Sequence, residues 1–258
     1  MIGCSCATCQ SSDPHDCRLR PSIYLEIADG PALLVDTSTD LRQQALTHRI
    51  TRVDAILFTH SHADHVMGLD EVRRFNMLQR APIPAYADDR TLADLRRTFA
   101  YIFDPPSAPG GGIPQIHLKP IDGPFSVGSI RVIPVPIFHG PRLILGFRLG
   151  NFAYLTDCNR IPEESFRLLA NLDVLVLDAL RHRPHPTHFT VAEAVHVVER
   201  LQPRRTFLTH ICHDLPHAAT NAALPSAVEL AFDGLTFDIS VEVDDPSATE
   251  APPVLEAP

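Results

Sequence analysis

Short apolar runs separated by turn residues recur along the chain, and this pattern predicts many strands and few helices. The segment IYLEIADGPALLVDTS (23–38) predicts two strands joined by an Asp-Gly turn. Further strands are predicted over 53–59, 130–138, 143–150, 152–157, 172–180 and 205–210. Helical spacing predicts helices over 68–79, 91–103 and 191–201. The last of these helices begins at a capping box formed by Thr190 and Glu193.

The order of these elements predicts the fold class. Strands dominate each half of the chain and helices lie between them, which indicates an α/β fold with two sheets flanked by helices rather than one doubly wound sheet. A Pro/Gly run at 103–114 predicts a surface loop, because strand signals resume directly after it. The acidic, proline-rich stretch 244–258 predicts a disordered tail, which leaves 1–243 as a single domain.

Composition narrows the functional classes. The chain has 258 residues, of which 45% are hydrophobic and 21% charged, and its net charge is −9. That charge gives no reason to expect nucleic-acid binding. The apolar runs are of strand length, far short of the roughly 20 residues of a membrane span. The six cysteines without a secretory signal favour a reducing, cytoplasmic location, where clustered thiols bind metal more often than they form disulfides.

The segment HSHADH (60–65) directly follows a predicted strand and is the chemical centre of the sequence. His60 and His62 alternate and can project the same way, while Asp64 and His65 can turn toward a neighbouring point. Imidazole and carboxylate groups are ligands that Zn²⁺ and Mn²⁺ accept. A polar turn with surplus histidines is the alternative, but packing rarely places four metal-competent side chains in six residues.

A second cluster of candidate ligands opens the chain, where Cys4, Cys6 and Cys9 lie within MIGCSCATCQ. Three thiols are one short of the four ligands of a tetrahedral structural zinc.

HSHADH resembles the HxHxDH signature of the metallo-β-lactamase superfamily. The resemblance implies a four-layer αββα sandwich of two mixed sheets with a dinuclear metal site at a sheet edge. It covers roughly residues 23–213, because the remaining ligands of that family have counterparts at three further predicted strand ends. One metal would be bound by His60, His62 and His139, the other by Asp64, His65 and His210, and Asp157 would bridge them.

Within the superfamily, the chain most resembles the PhnP-like phosphodiesterase branch of the carbon–phosphorus lyase pathway, through GCSCATC, DPHDCRLRPS, GLDEVR and LTHICHD. The resemblance implies that His213 completes a structural zinc site with Cys4, Cys6 and Cys9. Cys17 or Cys212 remains an alternative fourth ligand. The branch carries a strand ahead of the cysteine cluster, so either the gene starts upstream of Met1 or the first strand of the sheet has been lost.

The resemblance implies a hydrolase that uses two divalent cations, Zn²⁺ or Mn²⁺, and the hydroxide between them to cleave a small cyclic ribose phosphate. Asp64 and His188 are the expected catalytic residues. His188 would lie over the metal pair and assist the leaving group, and the alternative is a loop histidine without a role. The expected partner is a small phosphorylated substrate, with no nucleic acid or membrane, and a homodimer is the candidate assembly.

Four further residues carry smaller predictions. Asp36 is expected either to orient a metal ligand or to form a simple turn, and Cys158 to be a small buried apolar residue. Arg142 could meet a substrate phosphate, whereas Arg148 alternates along its strand and is expected to face solvent.

Two other functions fit the same residues. One is a protein like those of pyrroloquinoline-quinone biosynthesis, which share the fold and a related cysteine cluster, and the other is a non-catalytic metal-binding module. A tRNA-maturation nuclease is disfavoured because no basic RNA-gripping segment is visible.

Overall fold

The computed structural model describes residues 1–104 and 112–241. The predicted tail and residues 105–111 of the predicted loop lie outside these ranges. The strands are β1 (Ile23–Glu26), β2 (Ala32–Val35), β3 (Ala55–Leu57), β4 (Ile83–Ala87), β5 (Ile116–Pro120), β6 (Phe125–Val127), β7 (Ile130–His139), β8 (Arg142–Leu149), β9 (Phe152–Leu155), β10 (Val174–Asp178), β11 (Arg205–Thr209) and β12 (Val228–Leu230).

Helices lie between these strands and are mostly short. The α-helices are α1 (Leu41–Thr47), α2 (Ala63–Val66), α3 (Arg73–Gln79), α4 (Asp89–Thr98), α5 (Ala100–Phe103), α6 (Glu163–Leu168), α7 (Val191–Leu201) and α8 (His217–Ala223), and Pro14–Asp16 and Leu69–Val72 form 3₁₀ turns. Across the described ranges, no helix combines the length and the apolar character that crossing a membrane requires.

The strands form two mixed sheets, as the sequence predicts. The first sheet has the order β1-β2-β3-β4-β5, in which β1 and β2 are antiparallel and the later pairs are parallel. The second has the order β12-β11-β10-β9-β8-β7-β6, parallel from β12 to β9 and antiparallel beyond it. Residues 1–22 contain no strand, so β1 is an edge of the first sheet.

Side-chain alternation along the strands builds the layers. Leu33 and Val35 of β2 point into a core that they share with Phe147 and Tyr154 of the second sheet, so the two sheets pack face to face. Leu34, one position along, belongs to a separate cluster under the helices of the first half.

The second sheet follows the same rule, because Leu155 and Leu175 pack against Ala194 and Val198 of α7. Burying each such leucine contributes about 1.5–3 kcal/mol. The expected αββα sandwich is therefore the observed fold.

Several elements differ from the sequence prediction. The helix predicted over 68–79 starts as a 3₁₀ turn, and the one predicted over 91–103 begins at Asp89 and breaks at Phe99. The helix α7 has the predicted bounds and the predicted capping box. Strands β4, β5, β6 and β12 are not predicted from the sequence, since they are short and prolines interrupt or end the first two.

Candidate metal centre

The carboxyl ends of parallel strands bring the candidate ligands to one edge of the sandwich. Asp157 and His210 follow β9 and β11, which lie on either side of β10 in the second sheet. In the first sheet, Asp36 and His60 follow the parallel neighbours β2 and β3. His139 is the last residue of β7. Residues that are distant in the sequence therefore lie close together at one edge of the sandwich.

Three of these residues have a left-handed backbone that non-glycine residues seldom adopt. The φ angles are 62° at Asp36, 56° at Asp157 and 56° at His210. Hydrogen bonds hold two of them, since the Asp157 N–H donates to Asp178 Oδ1 at 3.1 Å and the Asp36 carboxylate accepts from the Thr59 N–H at 2.8 Å. Such backbone positions concentrate at functional sites, where they turn a side chain sharply away from its strand.

The carboxylate of Asp157 lies at the middle of the cluster. Its oxygens are 3.3 Å from His60 Nε2, 3.4 Å from His65 Nε2 and 2.7 Å from His210 Nε2. The structure brings together all of the predicted catalytic-metal ligands in overlapping groups whose candidate donor atoms lie within 4.8 Å of one another. One group contains His60, His62, His139 and Asp157, and another contains Asp64, His65 and His210.

The hydrogen bonding of these imidazoles fits bound cations. Nε2 of His60, His65 and His210 is buried, yet none of these atoms has a hydrogen-bond partner, although Asp157 lies beside all three. Buried nitrogens without partners are rare and costly, and cations at these positions would satisfy them. The ligand set of imidazole and carboxylate accepts both Zn²⁺ and Mn²⁺.

Burial and charge oppose each other in this cluster. Burial raises the pKa of Asp157, but the neighbouring histidines, His210 foremost, outweigh it and hold that pKa well below the ordinary value. Burial also lowers the pKa of His65, which Asp36 and Asp157 overcome and raise to about 10. At His60 burial has the largest effect on the pKa and lowers it to about 4. The charges of the cluster are thus interdependent, as at other functional sites.

Asp36 orients two of the candidate ligands, which confirms the prediction that it is more than a turn residue. Its Oδ2 accepts from His65 Nδ1 at 2.8 Å and from the Thr59 hydroxyl at 2.8 Å. Because the Thr59 hydroxyl donates to Asp36, it accepts from His60 Nδ1, 3.0 Å away. Both rings therefore carry a proton on Nδ1 and direct Nε2 toward Asp157.

His188 lies beside the cluster and is fixed by Asp178. Its ring stacks on His210 at 4.8 Å and lies 5.0 Å from the ring of His139. Nδ1 of His188 is 3.0 Å from Asp178 Oδ1, and both residues are buried. Asp178 was missed in the sequence, because the buried strand that ends in it points to the site only once that strand pairs with the strand before Asp157.

The cysteine cluster also assembles as predicted. The Sγ atoms of Cys4, Cys6 and Cys9 and a ring nitrogen of His213 all lie within 4.8 Å of one another. The hydrogen bond to His213 lowers the pKa of the Cys6 thiol to about 6, toward the thiolate form that binds zinc. Cys17 and Cys212, the alternatives, lie outside this group.

The segment around this cluster is held by further contacts that counter the fraying of a chain end. Arg18 donates to the carbonyl oxygens of Cys212 at 2.6 Å and Leu215 at 2.5 Å. Asp16 pairs with Arg18 and accepts from the His217 N–H at 2.9 Å.

Two smaller predictions have different outcomes. Cys158 is fully buried among apolar residues, as predicted. Arg148 does not simply face solvent, because its guanidinium donates to the backbone carbonyls of Gly150 and Leu168. The turn after β8 provides these acceptors, which the alternation of the strand alone does not reveal.

Comparison with known proteins agrees with this geometry. A family model described as a beta-lactamase superfamily domain matches residues 32–211. The crystal structure of a diphosphatase from the PhnP family superimposes with a TM-score of 0.88 at 43% identity, covering 94% of this chain and 93% of that one. Zn²⁺-bound PqqB from Methylobacterium extorquens shares the fold, with a TM-score of 0.70 at 21% identity over 92% of this chain and 95% of its own.

A longer relative also matches. An octanoyltransferase of Porphyromonas gingivalis is 35% identical over 237 residues, which are 91% of this chain and 48% of that protein. The chain therefore spans about half the length of this relative.

The thiol–histidine cluster predicts a zinc site that depends on His213. Replacing His213 with Ser should remove one zinc per chain, measured by elemental analysis of purified protein, because a single ligand loss opens the tetrahedral set. Cys17→Ser and Cys212→Ser are matched controls that should keep all the zinc. An unchanged zinc content in the His213 variant would contradict the assignment.

The contacts of Asp36 predict a role in metal affinity. Asp36→Asn should weaken binding of the catalytic cations by about 10–100-fold, since the His65 Nδ1 proton and the Thr59 hydroxyl that receives His60 both lose their carboxylate acceptor. Competition with a fluorescent zinc chelator measures this change, and Asp122→Asn, an exposed position, serves as the control. Equal affinities for the Asp36 variant and the wild type would rule out this role.

Proposed function

The chain belongs to the beta-lactamase superfamily and, within it, to the PhnP family, and on that premise we propose that this metal-dependent hydrolase cleaves a phosphodiester, with a small cyclic ribose phosphate as its substrate. The observation that carries the proposal is the set of imidazoles around the buried carboxylate of Asp157, with unpartnered nitrogens directed toward it. Cations bound there would supply a hydroxide nucleophile at neutral pH and offset the charge of the phosphate oxygens.

We assign His60, His62 and His139 to one cation, Asp64, His65 and His210 to the other, and Asp157 to both. The hydrogen bonds of the outer ring atoms support this assignment. His139 Nδ1 is 3.1 Å from the carbonyl oxygen of Thr187, to which it donates, so its Nε2 keeps a free lone pair. His62 is exposed and His60 is buried, which places the open side of the site at His62.

His188 supplies the proton for the leaving group in this proposal. Its Nδ1 proton is held by Asp178, so Nε2 is the nitrogen that can give a proton to a departing alkoxide. The carboxylate of Asp178 stabilises the ring when it is charged. Asp178 also accepts from the Phe189 N–H at 3.0 Å, which fixes the loop that carries His188. Asp178 is therefore a positioning residue, and His188 contacts the substrate.

A second candidate reaction is the cleavage of a diphosphate linkage. The observation that favours it is the likeness to the PhnP-family diphosphatase, at 43% identity over 94% of this chain. Both reactions displace an oxygen from phosphorus, and both need positive charge beside the phosphate oxygens. The site therefore suits either reaction. The quinone-biosynthesis function and the non-catalytic module remain the alternatives if no phosphorus ester is cleaved.

Phosphorus NMR of ribose cyclic phosphates tests the proposal. Protein loaded with manganese or zinc should open the 1,2-cyclic or the 2′,3′-cyclic ester, and Asp157→Ala should open neither, because the shared ligand of the cations is gone. Manganese is removed by chelation before the spectra are recorded. ADP-ribose, incubated in parallel, tests the diphosphate candidate.

Survival of every ester while the metals remain bound would contradict a phosphoesterase. That result would favour the quinone-biosynthesis function or the metal-binding module instead. Cleavage of ADP-ribose alone would select the diphosphate reaction.

The contact between Asp178 and His188 predicts a dependence on the leaving group. Asp178→Asn should lower kcat about 100-fold for an alkyl ester, which needs a proton on the departing oxygen, and far less for a p-nitrophenyl ester, which does not. Asp173→Asn, just before the start of β10, is the matched control and should leave both rates unchanged. Equal losses on both esters would indicate a purely structural role for Asp178.

A further inference from the structure

Arg142 lies beside the candidate metal centre without belonging to it. It is the first residue of β8 and is paired across the hairpin with His139, one of the candidate ligands. Its Nη2 donates to the Ser61 hydroxyl at 3.1 Å, and Ser61 lies between His60 and His62 in the chain. The guanidinium is therefore held at the open side of the site.

This guanidinium has no acidic partner. Within residues 1–104 and 112–241, no carboxylate oxygen lies within 4.0 Å of it, and its hydrogen bonds go to the hydroxyls of Ser61 and Thr91. Its Nε is buried and has no hydrogen-bond partner. A partly buried cation with unused donors is unfavourable unless an anion joins it.

The nearby carboxylates accept hydrogen bonds from groups other than Arg142. Asp94 accepts from the Ser61 hydroxyl at 2.5 Å and from Arg97 at 2.8 Å. Asp88 caps the start of α4 by accepting from the Thr91 N–H at 2.7 Å. Because the Ser61 hydroxyl donates its proton to Asp94, the Ser61 oxygen can accept a hydrogen bond from Arg142. Ser61 therefore positions the guanidinium, and an anion that Arg142 binds has to come from outside the chain.

We infer that Arg142 binds a second phosphate of the substrate, next to the phosphorus that is attacked. Guanidinium donors match two phosphate oxygens at once, and a site on the open side is reached without displacing a metal ligand. The inference rests on the proposed function and makes Arg142 the residue that sets the preference for a substrate with a second phosphate over one without it.

Binding of ADP and AMP tests this inference apart from turnover, because the two ligands differ by one phosphate. Calorimetry on zinc-loaded protein should show that wild type prefers ADP to AMP by at least about tenfold, the usual worth of a charged hydrogen bond. Arg142→Gln should abolish the preference, and Arg142→Lys should retain part of it. Arg131→Gln, an exposed change of the same charge at the far end of β7, should keep it.

Zinc content and thermal unfolding of the variants show that each is folded and loaded. A preference for ADP that survives in Arg142→Gln, or that is absent from the wild type, would overturn the inference. If the cyclic esters and ADP-ribose all resist hydrolysis while the preference still depends on Arg142, the phosphate subsite stands and the proposed reaction fails.

Discussion

The buried carboxylate of Asp157 is the constraint on which the rest of the site depends. A carboxylate that is removed from water is costly unless positive charge lies beside it, and here the rings of His60, His65 and His210 approach it at 2.7–3.4 Å, of which His65 and His210 have raised pKa values. Those imidazoles lie after β3, in α2 and after β11, so both sheets have to pack together before the charge is compensated. The charge balance of the centre therefore depends on the packing of the two sheets, and bound cations would complete that balance.

The two metal-competent clusters are linked through one short segment. His210 and His213 both follow β11, so a zinc at the cysteine cluster would fix the same stretch of backbone that carries a catalytic ligand. The contacts of Arg18 with the carbonyls of Cys212 and Leu215 fasten this stretch further. A metal bound at the cysteine cluster would therefore also stabilise the backbone that carries His210 in the catalytic centre.

Local signals in the sequence were sufficient for much of this account. Periodicity and a capping box located α7, and HSHADH located the first candidate ligands. The resemblance to the metallo-β-lactamase superfamily then implied the ligands at the later strand ends. What sequence could not provide depends on long-range pairing. Asp178 is recognisable only when β10 is placed between the strands of Asp157 and His210, and the surroundings of Arg142 follow from the register of β7 against β8. Strand β4, with its proline, is a strand because two parallel neighbours pair with it.

The central claim is that Asp157 is shared by two cations. Electron paramagnetic resonance of the manganese-loaded protein tests it directly, since two Mn²⁺ ions joined by one carboxylate couple magnetically. The account predicts an exchange-coupled spectrum in the wild type that disappears in Asp157→Ala. A wild-type spectrum that shows only isolated Mn²⁺ ions at full metal loading would contradict it.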